Sequence, residues 1–261
     1  MNNTEIVAAV CDRRPRHGGH RPPLQRSSIL RLLSSGFTLL ELIVVIGLMA
    51  TLAFVLFSGL SGAGQAQALQ SAQATVANLV TAARTKAPAT NHKTRLLINV
   101  DLVTPERYLR YVVLQLARQP GSSPTDWDTI QSVLLPTGTC VVPGTLTGLV
   151  PDATQWKRAS NPTEDLVSDL FKNQSLSYTL EGDVAAQAWT GVAFTPNGTL
   201  AALAAGPPPK GSIVLALGMC RPPGSYATGG PPLQLDHPQS VRGLVLSAYG
   251  VPALLNERNA F

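Results

Sequence analysis

Residues 35–57, Ser35-Gly36-Phe37-Thr38-Leu39-Leu40-Glu41-Leu42 and onward through IVVIGLMATLAFVLF, decide how this chain is read. From Phe37 to Phe57 the run is apolar except for a single charge, Glu41. As a helix rising ~1.5 Å per residue it reaches roughly 30 Å, the thickness of a bilayer's hydrocarbon. The flanks are asymmetric. Of the net charge of +5, the first 36 residues carry +4, from six arginines (Arg13, Arg14, Arg16, Arg21, Arg26, Arg31) against Glu5 and Asp12. Basic residues before an apolar span and none soon after it put the N-terminus on the cytoplasmic side.

Outward from this run, residues 1–30 are rich in Arg, Pro, His and Gly and have no apolar period, the signature of a disordered leader. On the other side lies SGLSGAGQ, where Gly59, Gly62 and Gly64 each disfavour helix by about 1 kcal/mol, so a weak or bent stretch is expected. Leu69, Ala72, Val76, Leu79, Val80 and Ala83 then recur every three or four residues. They form one stripe of an amphipathic helix from about Gln65 to Lys86, stopped by Pro88. Beyond it the period shortens. Residues 95–100, 108–117, 132–136, 176–180, 188–194, 212–220 and 241–250 read as short strands between Gly- and Pro-rich turns, with Asn197-Gly198 as a hairpin signal. The fold class that follows is α+β. A long N-terminal helix, a transmembrane half plus an amphipathic half, is expected to pack on a β-rich antiparallel head. The divisions are a leader 1–36, a membrane helix 37–57, a stalk 58–87 and a head 88–261.

The chain outside the leader is nearly neutral, which argues against nucleic acid as a partner. Arg107, Arg110 and Arg118 with Tyr108 and Tyr111 could form a DNA-facing patch, but an ordinary solvent-facing strand fits the same residues better. His17, His20, His92 and His237 have no ligand neighbours at zinc spacing, and Asp126-Trp127-Asp128 is too sparse for calcium, so no metal or cofactor is expected. No nucleophile motif, phosphate loop or carboxylate pair is present, and His237 beside Asp236 is read as a loop dipeptide. Of three cysteines, Cys11 lies in the leader. Cys140 and Cys220 are either a disulfide suited to an oxidising compartment or two unrelated buried thiols.

Gly36-Phe37 ahead of an apolar run with a carboxylate at Glu41 resembles the class III signal of type IV prepilins and type II secretion pseudopilins. The resemblance covers Gly36 to Phe57. It implies that a prepilin peptidase cuts between Gly36 and Phe37 and methylates the new N-terminus of Phe37. It further implies that Glu41 pairs with the Phe37 amine of a neighbouring subunit and so sets register. An unpaired carboxylate inside a bilayer costs at least a few kcal/mol, which gives such pairing its force. A plain signal anchor or a secretory signal explains these residues less well, because the candidate cut precedes the apolar core. The leader is long for that family, and glycines stand where many members carry a helix-breaking proline. A looser resemblance, through Phe194-Thr195-Pro196-Asn197-Gly198 and the terminal strands, is to minor pseudopilins of the GspH/FimT type.

The expected function is therefore that of a structural, non-enzymatic minor subunit of a type II secretion pseudopilus. It would sit in the inner membrane with a periplasmic head, and its partners would be prepilin peptidase, other pseudopilins or pilins, and membrane lipid. The alternative is a type IV pilus minor pilin acting in pilus assembly or DNA uptake.

Overall fold

A computed structural model describes residues 38–119, 126–203, 206–221, 224 and 230–261, leaving aside the side chains of 56–63. The chain divides into two compact units, Met1–Ala50 and Thr51–Phe261. In the first, residues from Leu39 onward are helical and their large apolar side chains are not covered by the rest of the chain.

The helix α1 spans Leu39–Thr90. It runs unbroken through Gly59, Gly62 and Gly64, where a weak stretch was expected. It also continues one turn past Lys86, with Pro88 inside its last turn. Asn91, at φ 57, then turns the chain out of the helix, and the His92 N–H donates to Ala87 O.

The transmembrane half expected for this helix is corrected. Among the described residues no helix is long and apolar enough to cross a membrane. Among the described residues the exposed apolar side chains run from Leu39 to Val55, and Glu41 places a carboxylate in their first turn. In place of a helix half in the membrane on a simple head, the fold is a β-rich body of two sheets built around the later turns of α1.

The second unit holds ten strands. The first sheet contains β1 (Thr94–Asn99), β2 (Tyr111–Ala117), β3 (Trp127–Leu134), β5 (Ser175–Tyr178) and β6 (Gln187–Phe194), in the order β3-β2-β1-β6-β5. The short β7 (Leu200–Ala201) also pairs with β6. The second sheet is β10-β9-β8-β4, from β4 (Thr139–Val141), β8 (Gly211–Cys220), β9 (Leu233–Leu246) and β10 (Pro252–Leu255). All pairings are antiparallel. Leu109, at φ 55, ties the sheets together: its N–H donates to Asn99 O on β1, and its carbonyl accepts from Val141 N–H on β4.

The stripe read from sequence is the centre of the core. Leu69, Ala72, Val76, Leu79, Val80 and Ala83 are buried together with inward residues of both sheets. Leu96 and Ile98 of β1 and Val192 and Phe194 of β6 meet them from one sheet, and Ile213 and Leu215 of β8 from the other. A second cluster backs the second sheet, where Val214, Ala216 and Val241 meet Trp156, Leu166 and Phe261.

One polar side chain interrupts the helix stripe. Gln73, 2% exposed, donates from Nε2 to Gly243 O (2.7 Å) on β9 and Leu255 O (2.9 Å) on β10. It thereby satisfies two strand carbonyls at the helix contact. Gly191 on β6 is constrained more tightly, since an added Cβ would lie 1.9 Å from Leu96 O.

Gln73→Leu keeps the volume but strands both carbonyls. Chemical denaturation is expected to show a loss of roughly 2 kcal/mol relative to the wild type.

Candidate functional site

The helix starts with a reciprocal clasp. The Glu41 N–H donates to Thr38 Oγ1 at 3.2 Å, and Glu41 Oε2 accepts from the Thr38 N–H at 3.2 Å. The Thr38 hydroxyl also donates to the same carboxylate oxygen at 3.2 Å, and Leu42 N–H donates to Thr38 O at 3.1 Å to open the helical ladder. Thr38 is the N-cap and Glu41 the third helical residue, the arrangement called a capping box. A carboxylate here also meets the positive end of the helix dipole. The pattern Thr-x-x-Glu before an apolar run was legible in the sequence and went unread. Gly36 and Phe37, the expected cleavage residues, lie outside the described residues.

Behind this clasp, apolar side chains are exposed all round the helix: Leu39, Leu40, Ile43, Met49 and Phe54 are each more than half exposed. A helix that is apolar on every side is stable only when lipid or protein covers it.

The two cysteines of the described residues are free. Cys140 on β4 stands opposite Ala216 on β8, and Cys220 lies four residues farther along that strand, roughly 13 Å at ~3.3 Å per residue. That exceeds the Cα separation of about 7 Å that a disulfide tolerates, so the possible Cys140–Cys220 bridge is corrected to two separate thiols. Burial pushes the Cys140 thiol up to about 12, and burial also raises that of the half-buried Cys220.

The residues considered for a DNA patch are engaged within the fold. Arg107 pairs with Asp183 (3.2 Å) and lies over the Tyr111 ring (4.9 Å). Arg110 donates from Nη2 to Leu135 O (2.8 Å). Arg118 pairs with Asp128 (2.6 Å), whose hydrogen bond raises the guanidinium pKa further. Tyr108 is buried. Sequence reasoning missed a different cation, Arg95 on β1. Its guanidinium is sandwiched between the rings of Trp127 (4.1 Å) and Tyr178 (4.4 Å), and its Nε donates to Gln115 Oε1 (2.7 Å). Burial lowers its pKa to about 10. The three strands that supply this stack are far apart in the chain, so no local pattern announces it.

Between α1 and the second sheet runs an open groove of about 790 Å³, walled by Ala68, Leu217 and Met219 and edged by Glu106, Arg110 and Asp236. Its one thiol, Cys220, has its pKa raised by burial, which disfavours the nucleophilic thiolate. Among the described residues no three His, Cys, Asp or Glu side chains gather as metal ligands. His92 points Nδ1 at Ala117 O (2.7 Å), and His237 lines a separate recess with Gln239 and Arg242.

Compared with family models, curated proteins and solved structures, the chain has no match.

Two outcomes are expected. Thr38→Ala removes the cap and costs about 1 kcal/mol locally, read as faster hydrogen exchange at residues 39–42. The neutral Cys140 thiol favours the fold below pH 9.0 and loses that advantage as pH rises towards about 12, because the unfolded thiol ionises first. Stability of the wild type relative to Cys140→Ala should therefore fall across that window in denaturant titrations.

Proposed function

We propose that this protein is a prepilin-like structural subunit. It is cut between Gly36 and Phe37 by a prepilin peptidase, N-methylated at Phe37, and held at the inner membrane through the exposed apolar start of its helix. From there it is incorporated, as a minor subunit, into a type II secretion pseudopilus. It works by packing, not by catalysis.

The observation that carries the reading is the Gly36-Phe37-Thr38…Glu41 sequence opening a single helix of 52 residues. One part of that helix bares apolar side chains on every side, and a later part is fixed into a folded core by its buried stripe. The bare part needs a cover. Lipid supplies one before assembly, and the same segments of neighbouring subunits supply one within a filament. Glu41 fits both settings. Its carboxylate has donors on its own helix start and accepts a cation brought beside it. The pilus alternative that depends on DNA gains nothing from Arg107, Arg110 and Arg118, because each is engaged within the fold.

The test is the mass and N-terminal sequence of the protein extracted from cells with and without the peptidase. A chain beginning at N-methylated Phe37 only when the peptidase is present is the expected result. An uncut chain, or a cut after residue 57, removes the reading. Gly36→Val should leave the leader attached.

A further inference from the structure

The strand β3 forms one edge of the first sheet, paired with β2 on one side only. Sheet edges are ordinarily guarded by charge, proline or brevity, because their open backbone groups recruit another strand. This edge is eight residues long, and from Thr129 to Leu134 (Thr-Ile-Gln-Ser-Val-Leu) it carries neither charge nor proline. It also holds two of the exposed large apolar residues, Ile130 (38% exposed) and Leu134 (48%). One guard is present: Ile130 is the extra residue of a bulge between the Leu114–Gln131 and Gln115–Thr129 pairs.

Ile130 and Leu134 lie two residues either side of Ser132. An antiparallel pairing about a two-fold axis at Ser132 sets Ser132 against Ser132 of the second copy and Gln131 of each copy against Val133 of the other, which keeps the faces continuous there. It also brings the bulged Ile130 of each copy beside Leu134 of the other, the two exposed apolar residues of the edge. The ends match in charge. Asp126, just before β3, feels the charge of nearby Arg118 but is within salt-bridge distance of no cation among the described residues. Arg110, bound to Leu135 O at the other end, has no carboxylate partner among them either. The two-fold brings Asp126 of each copy to the end where Arg110 of the other sits.

We propose that β3 is a self-association edge, through which two copies of this chain join their first sheets into one continuous sheet across Ser132. The inference goes beyond the assembly role above and does not depend on it, since it uses a sheet edge and not α1.

The test is a Ser132→Cys variant of the full chain in detergent, with Cys11→Ser and Cys220→Ser to remove the other accessible thiols. Directly opposed cross-strand positions bring Cα atoms within disulfide reach. Mild oxidation should link the variant into dimers, and adding the exposed substitution Ile130→Lys should reduce linking roughly tenfold through loss of both apolar cross-strand pairs. Val184→Cys on the same background serves as control, because Val184 is fully exposed in the loop between β5 and β6, outside β3, and reports any pairing driven by the apolar helix. Linking at Ser132→Cys no faster than at Val184→Cys overturns the proposal. So does linking that Ile130→Lys leaves unchanged.

Discussion

Both sheets depend on one buried stripe of α1. Leu69, Ala72, Val76, Leu79, Val80 and Ala83 meet inward residues of β1 and β6 from one sheet and of β8 and β9 from the other. Removing that stripe leaves each sheet with an uncovered apolar face, and a sheet so exposed does not stand alone in water. Two small residues, Ala72 and Ala83, stand among larger ones along the stripe. The alanines let strands approach closely, while Leu and Val fill the space between the layers. Gln73 adds direction to this adhesive contact. Its two hydrogen bonds to β9 and β10 hold only when the helix sits at one depth and one rotation.

The stripe was legible because a 3.6-residue period in Leu, Val and Ala has few other physical readings. The strands were legible for a similar reason, and β1, β5, β6 and β8 lie within a residue or two of the runs that mark them. The Asn197-Gly198 turn also closes as its residues suggest: Thr195 N–H donates to Thr199 O, with Gly198 at φ 75. The start of β2 was misplaced. Tyr108 to Arg110 look like strand but form the turn that carries Leu109 between the sheets. A tertiary hydrogen bond there overrides local preference. The long β9 was missed in its first half, because Asp236-His237-Pro238 reads as a loop. The strand survives as a register jump, in which β8 passes from Ala216 opposite Val241 to Leu217 opposite Asp236.

The remaining misreadings concern residues whose meaning depends on distant partners. Cys140 and Cys220 look like a pair because they are the two left after the leader, but strand register sets them apart, and register is not written in cysteine count. Arg95 opens a strand run and carries no further signal in the sequence. It is buried because Trp127 and Tyr178, brought in from β3 and β5, close over it and attract its charge through their rings. Gly59, Gly62 and Gly64 suggested a break, yet helix persists through them. A cost of about 1 kcal/mol per glycine is small against nucleating a second helix after a gap.

Glu41 shows how one side chain can answer two demands. Read as a charge within an apolar run, it is a liability that only a cation from outside relieves. Placed as the third residue of a helix whose N-cap is Thr38, it takes two hydrogen bonds from its own chain and sits at the favourable end of the helix dipole. The two descriptions are compatible, because a carboxylate has about four lone-pair sites and the clasp uses two. The carboxylate that completes the cap therefore keeps acceptor capacity for an ammonium group. A partner cation adds to a charge that its own helix already holds in position, so association does not first have to order a free side chain.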